Sequence, residues 1–290
     1  MGATRLPPGV AAVALALGLC ACRGPAAAAA ATPPLTRAPD GRALAVTFAD
    51  EFDSFRRFTG GQGVWRTYLR NGDGGPLTER TLQGNKELQL YVDPDWRPDG
   101  GPPLGLNPFS IHDGKLEIRT EPAPAAVAGR LHGYRYVSGM ISSQPAFNQT
   151  YGYFEMRAKL PRGKGVWPAF WLLPADLDWP PEIDVMESVG DPSKVYVTAH
   201  SKTVKAEGTE VDVSPGDFHT YAVEWDKDQI VWFVDGREAK RQRTPPDMHK
   251  PMYLLANVAL GGDWAGAPDA STPWPAVLTI DYIRAYRFAS

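Results

Sequence analysis

Glu182-Ile183-Asp184-Val185-Met186-Glu187 places three carboxylates within six residues of a stretch that is otherwise apolar and strand-like. On a regular strand residues 182, 184 and 186 share a face, which turns Glu187 the other way. One extra residue, a β-bulge, would bring Glu187 round to the face of Glu182 and Asp184. Four strand steps then part the two glutamate Cα atoms by roughly 13 Å. Side chains leaning inward over Asp184 can close the carboxyls to the ~5–5.5 Å that double-displacement glycoside hydrolysis requires. Three acids this close cannot all ionise freely, so at least one pKa rises. A raised pKa is what a general acid needs near neutral pH. An isolated E-x-D-x-x-E is more often a strand with a solvated acidic face, so the surroundings decide.

Those surroundings are aromatic. Trp167, Trp171 and Trp179 lie upstream of the acids, and Trp264 lies far downstream. Sugars present axial C–H patches that stack on aromatic faces, while their hydroxyls need polar partners. Trp171, within Phe170-Trp171-Leu172-Leu173, reads equally well as core packing. Trp179-Pro180-Pro181 reads as a loop leading into the acidic strand.

The elements that must hold this stretch are nearly all β. Residues 116–120, 152–160, 195–199, 220–225, 230–234 and 278–286 alternate in polarity or carry β-branched and aromatic side chains between turn signals. Asp235-Gly236 is a hairpin turn signal. Many short strands without a repeat period predict an all-β fold, a two-sheet sandwich or jelly roll.

Composition narrows the remaining possibilities. Of 290 residues, 43% are hydrophobic and 22% charged, which excludes a disordered chain, and no apolar run reaches membrane length. The 30 basic and 33 acidic residues nearly cancel, so there is no electrostatic footprint for nucleic acid. Both cysteines fall within the first 22 residues and cannot build a disulfide framework.

Residues 10–19 are an apolar run behind Arg5, too short to span a bilayer but suited to a secretory signal. Leu19-Cys20-Ala21-Cys22 resembles a bacterial lipobox, which would make Cys22 a lipidated N-terminus; the alanines at 26–31 offer an ordinary cleavage site instead. The expected organisation is a signal at 1–22, an Ala/Pro-rich tether at 23–42 and one domain at 43–290. A lipid would be the only link to a membrane in a chain exported from a bacterial cell, periplasmic, anchored or secreted, and expected to be a monomer.

Trp167-Pro168-Ala169-Phe170-Trp171-Leu172-Leu173-Pro174, followed by the acidic hexapeptide, resembles the signature of family 16 glycoside hydrolases in its laminarinase-like form. The resemblance extends through Phe48-Ala49-Asp50-Glu51-Phe52-Asp53, Asn85-Lys86-Glu87-Leu88-Gln89-Leu90-Tyr91, Ser138-Gly139-Met140-Ile141-Ser142-Ser143, Tyr151-Gly152-Tyr153-Phe154-Glu155 and Asp281-Tyr282-Ile283-Arg284-Ala285-Tyr286. It implies a jelly roll of two curved antiparallel sheets with a concave cleft for an extended polysaccharide. It makes Glu182 the nucleophile, Glu187 the acid and then base, and Asp184 the residue that tunes Glu182. Net retention follows, with transglycosylation open to a competing sugar. Asn85, Trp167, Trp171, Trp179, His200, Asn257 and Trp264 become substrate contacts.

Catalysis of this kind needs no cofactor. Some family members bind one Ca²⁺ away from the acids, and Glu51 and Asp281 match positions that could contribute to it. The laminarinase-like motif favours β-1,3- or β-1,3-1,4-glucan as substrate. Two features depart from the pattern: Pro181 replaces the family's Gly before Glu182, and residues 91–112 form a long cleft-rim insertion. That loop is similar to members acting on acidic exopolysaccharide of succinoglycan type, with His112, Arg97 and Arg130 available to meet anionic groups or simply solvated.

Overall fold

In the computed structural model, residues 1–2, 32–69 and 75–289 are described. The signal sequence and Cys22 lie outside them. Among the described residues the chain runs through sixteen strands. They are β1 (Leu44–Asp50), β2 (Gln89–Tyr91), β3 (Phe109–His112), β4 (Lys115–Pro122), β5 (Tyr136–Ser138) and β6 (Met140–Ser142). Next come β7 (Gly152–Lys159), β8 (Val166–Pro174), β9 (Glu182–Glu187), β10 (Lys194–His200) and β11 (Thr209–Asp212). The last are β12 (His219–Trp225), β13 (Gln229–Val234), β14 (Arg237–Arg243), β15 (Met252–Leu260) and β16 (Ala276–Phe288), with a four-residue helix α1 (Gly262–Ala265) between the final two.

The strands form two sheets of a jelly roll. A ten-stranded sheet runs β14-β13-β12-β7-β16-β4-β5-β2, with β1 on β16 and β3 on β4; a six-stranded sheet runs β11-β10-β9-β8-β15-β6. Period-two alternation sorts their side chains. Met252, Leu254, Ala256, Val258 and Leu260 of β15 point into the core with Phe154, Met156, Trp225 and Trp232 of the larger sheet. Asp235 (φ 50) and Gly236 (φ 72) make the predicted tight turn, since both must take positive φ.

The domain begins earlier than its composition suggests. Pro33–Ser290 form one compact unit. Ala38 is buried, Arg37 bridges to Ala43, and Arg42 pairs with buried Glu224 at 2.5 Å and Asp226 at 2.9 Å while lying over the Phe288 ring. The stretch 33–42 is therefore part of the domain rather than tether, because Arg42 compensates a carboxylate that burial would otherwise leave unpaired.

Residues 91–112 also differ from a bare rim loop. Val92, Trp96 and Leu104 pack with Leu90, Leu131 and Val137 into a small core of their own. Asp93 ties this lobe down, accepting from Arg80 Nη1 and Thr67 Oγ1, each at 2.8 Å.

Candidate active site

The predicted bulge is present, and Val185 is the extra residue. On β8 the neighbours Phe170 and Trp171 face Met186 and Asp184, while on β10 Tyr196 and Thr198 face Glu187 and Asp184. Ile183, Val185 and Met186 all enter the core. Two successive inward side chains reverse the alternation, so Glu182, Asp184 and Glu187 share the outer face of the six-stranded sheet. From inside the sandwich, Trp232 Nε1 donates to the main-chain oxygen of Asp184 at 2.8 Å, which satisfies a carbonyl beside the bulge.

The two glutamates meet different partners. Glu187 Oε1 accepts from Trp167 Nε1 at 2.9 Å, and Glu182 Oε2 accepts from Trp179 Nε1 at 2.5 Å. His200 Nε2 stands 3.0 Å from Asp184 Oδ2. Burial pushes Glu187 up to about 7; the Trp167 N–H opposes this and the charge of Glu182 adds to it. Glu182 and Asp184 are also raised well above the usual carboxylate range. Burial is the main cause for both, followed by Asp184's charge on Glu182 and Glu187's charge on Asp184. His200 and the Trp179 N–H act against the rise at Glu182. Carboxyls with raised pKa values on one face, each glutamate with an indole donor for its ionised form, can supply a proton and a nucleophile near neutral pH.

Around the acids, Trp179 is 56% exposed and Trp264 44% exposed. Trp264, on α1, meets Trp167 and Tyr196 edge-on, with centroids 5.3 and 4.9 Å away. Asn85 is exposed, and its carbonyl closes on Gly262 so tightly that a Cβ there would sit 2.7 Å from it. Glycine at 262 is what allows the Asn85 segment to approach Trp167.

Trp171 and Asn257 depart from the expectation of open sugar contacts. They are only 7% and 4% exposed, and Trp171 Nε1 donates to Asn257 Oδ1 at 2.7 Å. Asn257 Nδ2 in turn donates to Tyr91 Oη at 3.0 Å. Leu69, Tyr91, Tyr253 and Leu255 pack with Trp171 in one apolar cluster, with Leu82 against it, so Leu69, Leu82 and Tyr91 cover this half of the sheet face. The pair forms floor rather than surface.

Residues 108–284 match the family described as "Glycosyl hydrolases family 16", a span that holds all three acids. The chain belongs to that family. It is 44% identical over 253 residues to endo-1,3-1,4-beta-glycanase EglC of Rhizobium meliloti, covering 85% of this chain and 52% of that protein. It is 34% identical over 235 residues to a beta-glucanase of Rhodothermus marinus, covering 71% and 76%. The catalytic domain of an endo-1,3-beta-glucanase (laminarinase) from Thermotoga petrophila superposes with a TM-score of 0.70 at 30% identity, over 86% of this chain and 100% of that one. The chain spans about half the length of the first curated relatives it matches.

Within this family 16 domain some expected groups are engaged elsewhere. Glu51 takes both Arg284 Nε and Nη2, at 2.8 and 2.7 Å, and Asp281 takes Arg157 Nη1 at 2.5 Å. Each carboxylate already has a guanidinium, so the pair does not fit a calcium ion, which needs these oxygens for itself. Arg97 and Arg130 reach loop carbonyls of Gly101 and Pro102. His112 sits on the β3–β4 hairpin of the other sheet.

Three neighbours of the site went unread in the sequence. Tyr196 pairs with Glu187 in register, and the even spacing 196, 198, 200 could have placed it on the face of His200. Tyr91 and Glu87 carry the buried chain onward from Asn257: Glu87 Oε2 accepts from Leu82 N at 3.1 Å and Gln89 Nε2 at 2.7 Å, with Tyr91 Oη at 3.5 Å. Burial raises the Glu87 carboxyl, against those donors.

Proposed function

We propose that this chain is a retaining endo-β-glycosidase acting on β-1,3-1,4- or β-1,3-glucan. The observation that carries the reading is the bulge at Val185, which turns Glu182 and Glu187 to one face in unlike surroundings. Glu187, held protonated to about 7 by burial, gives its proton to the leaving glycosidic oxygen as Glu182 attacks the anomeric carbon. The glycosyl–Glu182 ester forms as the C–O bond to the leaving sugar breaks. Glu187, now ionised, takes a proton from water, which attacks the same carbon and frees Glu182, so the configuration is retained. Asp184 carries the proton shared with Glu182 and so leaves Glu182 ionised. Trp179, Trp167, Trp264, Asn85 and His200 contact the glycan, while Trp171 and Asn257 hold the floor beneath it.

A neutral glucan is preferred over an acidic exopolysaccharide because the relatives at 44% and 34% identity are named an endo-1,3-1,4-beta-glycanase and a beta-glucanase. In this reading the chain is exported, with Cys22 as its lipid attachment point; both rest on the sequence of residues 1–22. The test is digestion of lichenan, laminarin and succinoglycan, with the anomers followed by proton NMR. Oligosaccharides appearing first as the β anomer from either glucan support the proposal. No new reducing ends from the glucans, or the α anomer first, overturns it.

A further inference from the structure

We propose that Glu182, Asp184 and His200 bind one divalent cation of the zinc class, and that the bound metal blocks the site. Each residue offers one ligand atom, and the three lie within 4.8 Å of one another. Among the described residues no other three Asp, Glu, His or Cys groups converge in this way. Two oxygens and one imidazole nitrogen are a donor mix that Zn²⁺ takes with three protein ligands and one open position. Hard cations such as Ca²⁺ ask for six or more oxygens, which this set lacks.

A second observation points to the same place. Asp184 is 2% exposed, and its Oδ2 accepts no hydrogen bond among the described residues. That atom stands 3.0 Å from His200 Nε2 without the alignment of a hydrogen bond. Ligand atoms on a tetrahedral zinc, with legs of about 2.0–2.1 Å, are separated by about 3.3 Å. The oxygen and nitrogen are thus nearly in place for a shared metal. The donors are also fixed by the sheet, since His200 pairs in register with Glu182 and Thr198 with Asp184, and strands hold such geometry better than loops. His200 keeps 38% of its side chain in solvent, which leaves a route of access.

Binding does not depend on the function proposed above, whereas inhibition rests on Glu182 being the nucleophile. The test is calorimetric titration of the full chain with ZnCl₂, its two cysteines first alkylated. One site with a dissociation constant in the micromolar range is expected. His200→Gln should weaken it at least tenfold with an unchanged melting temperature, and Asp269→Asn, at a surface carboxylate, should leave it intact. Binding absent below millimolar Zn²⁺, or equal in His200→Gln, overturns the site. A parallel glucan assay separates the two readings. Zn²⁺ that binds but leaves turnover intact contradicts the blocking role, while a metal-free wild type that cuts no glucan contradicts the proposed function and leaves calorimetry to judge the site.

Discussion

Trp167 donates its indole N–H to Glu187 at 2.9 Å, and Trp179 does the same for Glu182 at 2.5 Å. Each glutamate therefore has an indole that favours its ionised form. Removing either N–H while keeping an aromatic ring raises the pKa of its glutamate. In Trp167→Phe the acid stays protonated longer, so the alkaline limb of kcat/KM, expected near pH 7 in the wild type, moves to higher pH. In Trp179→Phe the nucleophile ionises later, so the acidic limb moves to higher pH. One hydrogen bond of about 1 kcal/mol corresponds to under about one pH unit. A pH–rate profile of the two variants reads both shifts, and a downward shift in either contradicts the assignment.

Glu187→Gln removes the proton donor and leaves Glu182 in place. Turnover of glucan should fall by about 10²–10⁴-fold. An aryl β-glycoside, whose leaving group needs no proton, should still form the glycosyl–enzyme, so a burst of phenolate precedes stalled turnover. Stopped-flow absorbance checks this, and Glu182→Gln should show neither burst nor turnover.

Asp93→Asn tests the small core built by the insertion. Arg80 is buried and pairs with Asp93 at 2.8 Å. Burial alone would raise the Asp93 carboxyl, but Arg80, together with the Thr67 hydroxyl and the Asp95 N–H, outweighs it and the pKa is lowered. Stability from this pair is therefore present above the unfolded pKa of about 3.9 and is lost as pH falls through the lower folded value. Losing the Asp93 charge beside buried Arg80 costs up to about 3–5 kcal/mol, with about 2–4 °C of melting temperature per kcal/mol in a domain of this size. Melting curves at pH 7 and below pH 3 check it: the gap between wild type and variant should narrow at low pH.

What the chain disclosed before folding was the part written in short-range spacing. An acid pair at an odd separation, 182 and 187, with Asp184 between, demanded a bulge, and one is found at Val185. Hidden features depend on contacts far apart in the sequence. Trp171 reads as core or cleft until Leu69, Leu82 and Tyr91 are seen packed against it. An Ala/Pro-rich lead into the domain looks like tether until Arg42 meets Glu224, 182 positions away. Glu51 and Asp281 look like spare oxygen ligands until Arg284 and Arg157 are found upon them.

Covalent trapping probes the central claim most directly. A 2-deoxy-2-fluoro laminaribioside with a good leaving group forms the glycosyl–enzyme quickly and hydrolyses slowly, so the adduct can be located by peptide mass spectrometry. The label is expected on Glu182. A label on Glu187, or free hydrolysis with inversion and no adduct, would contradict the account.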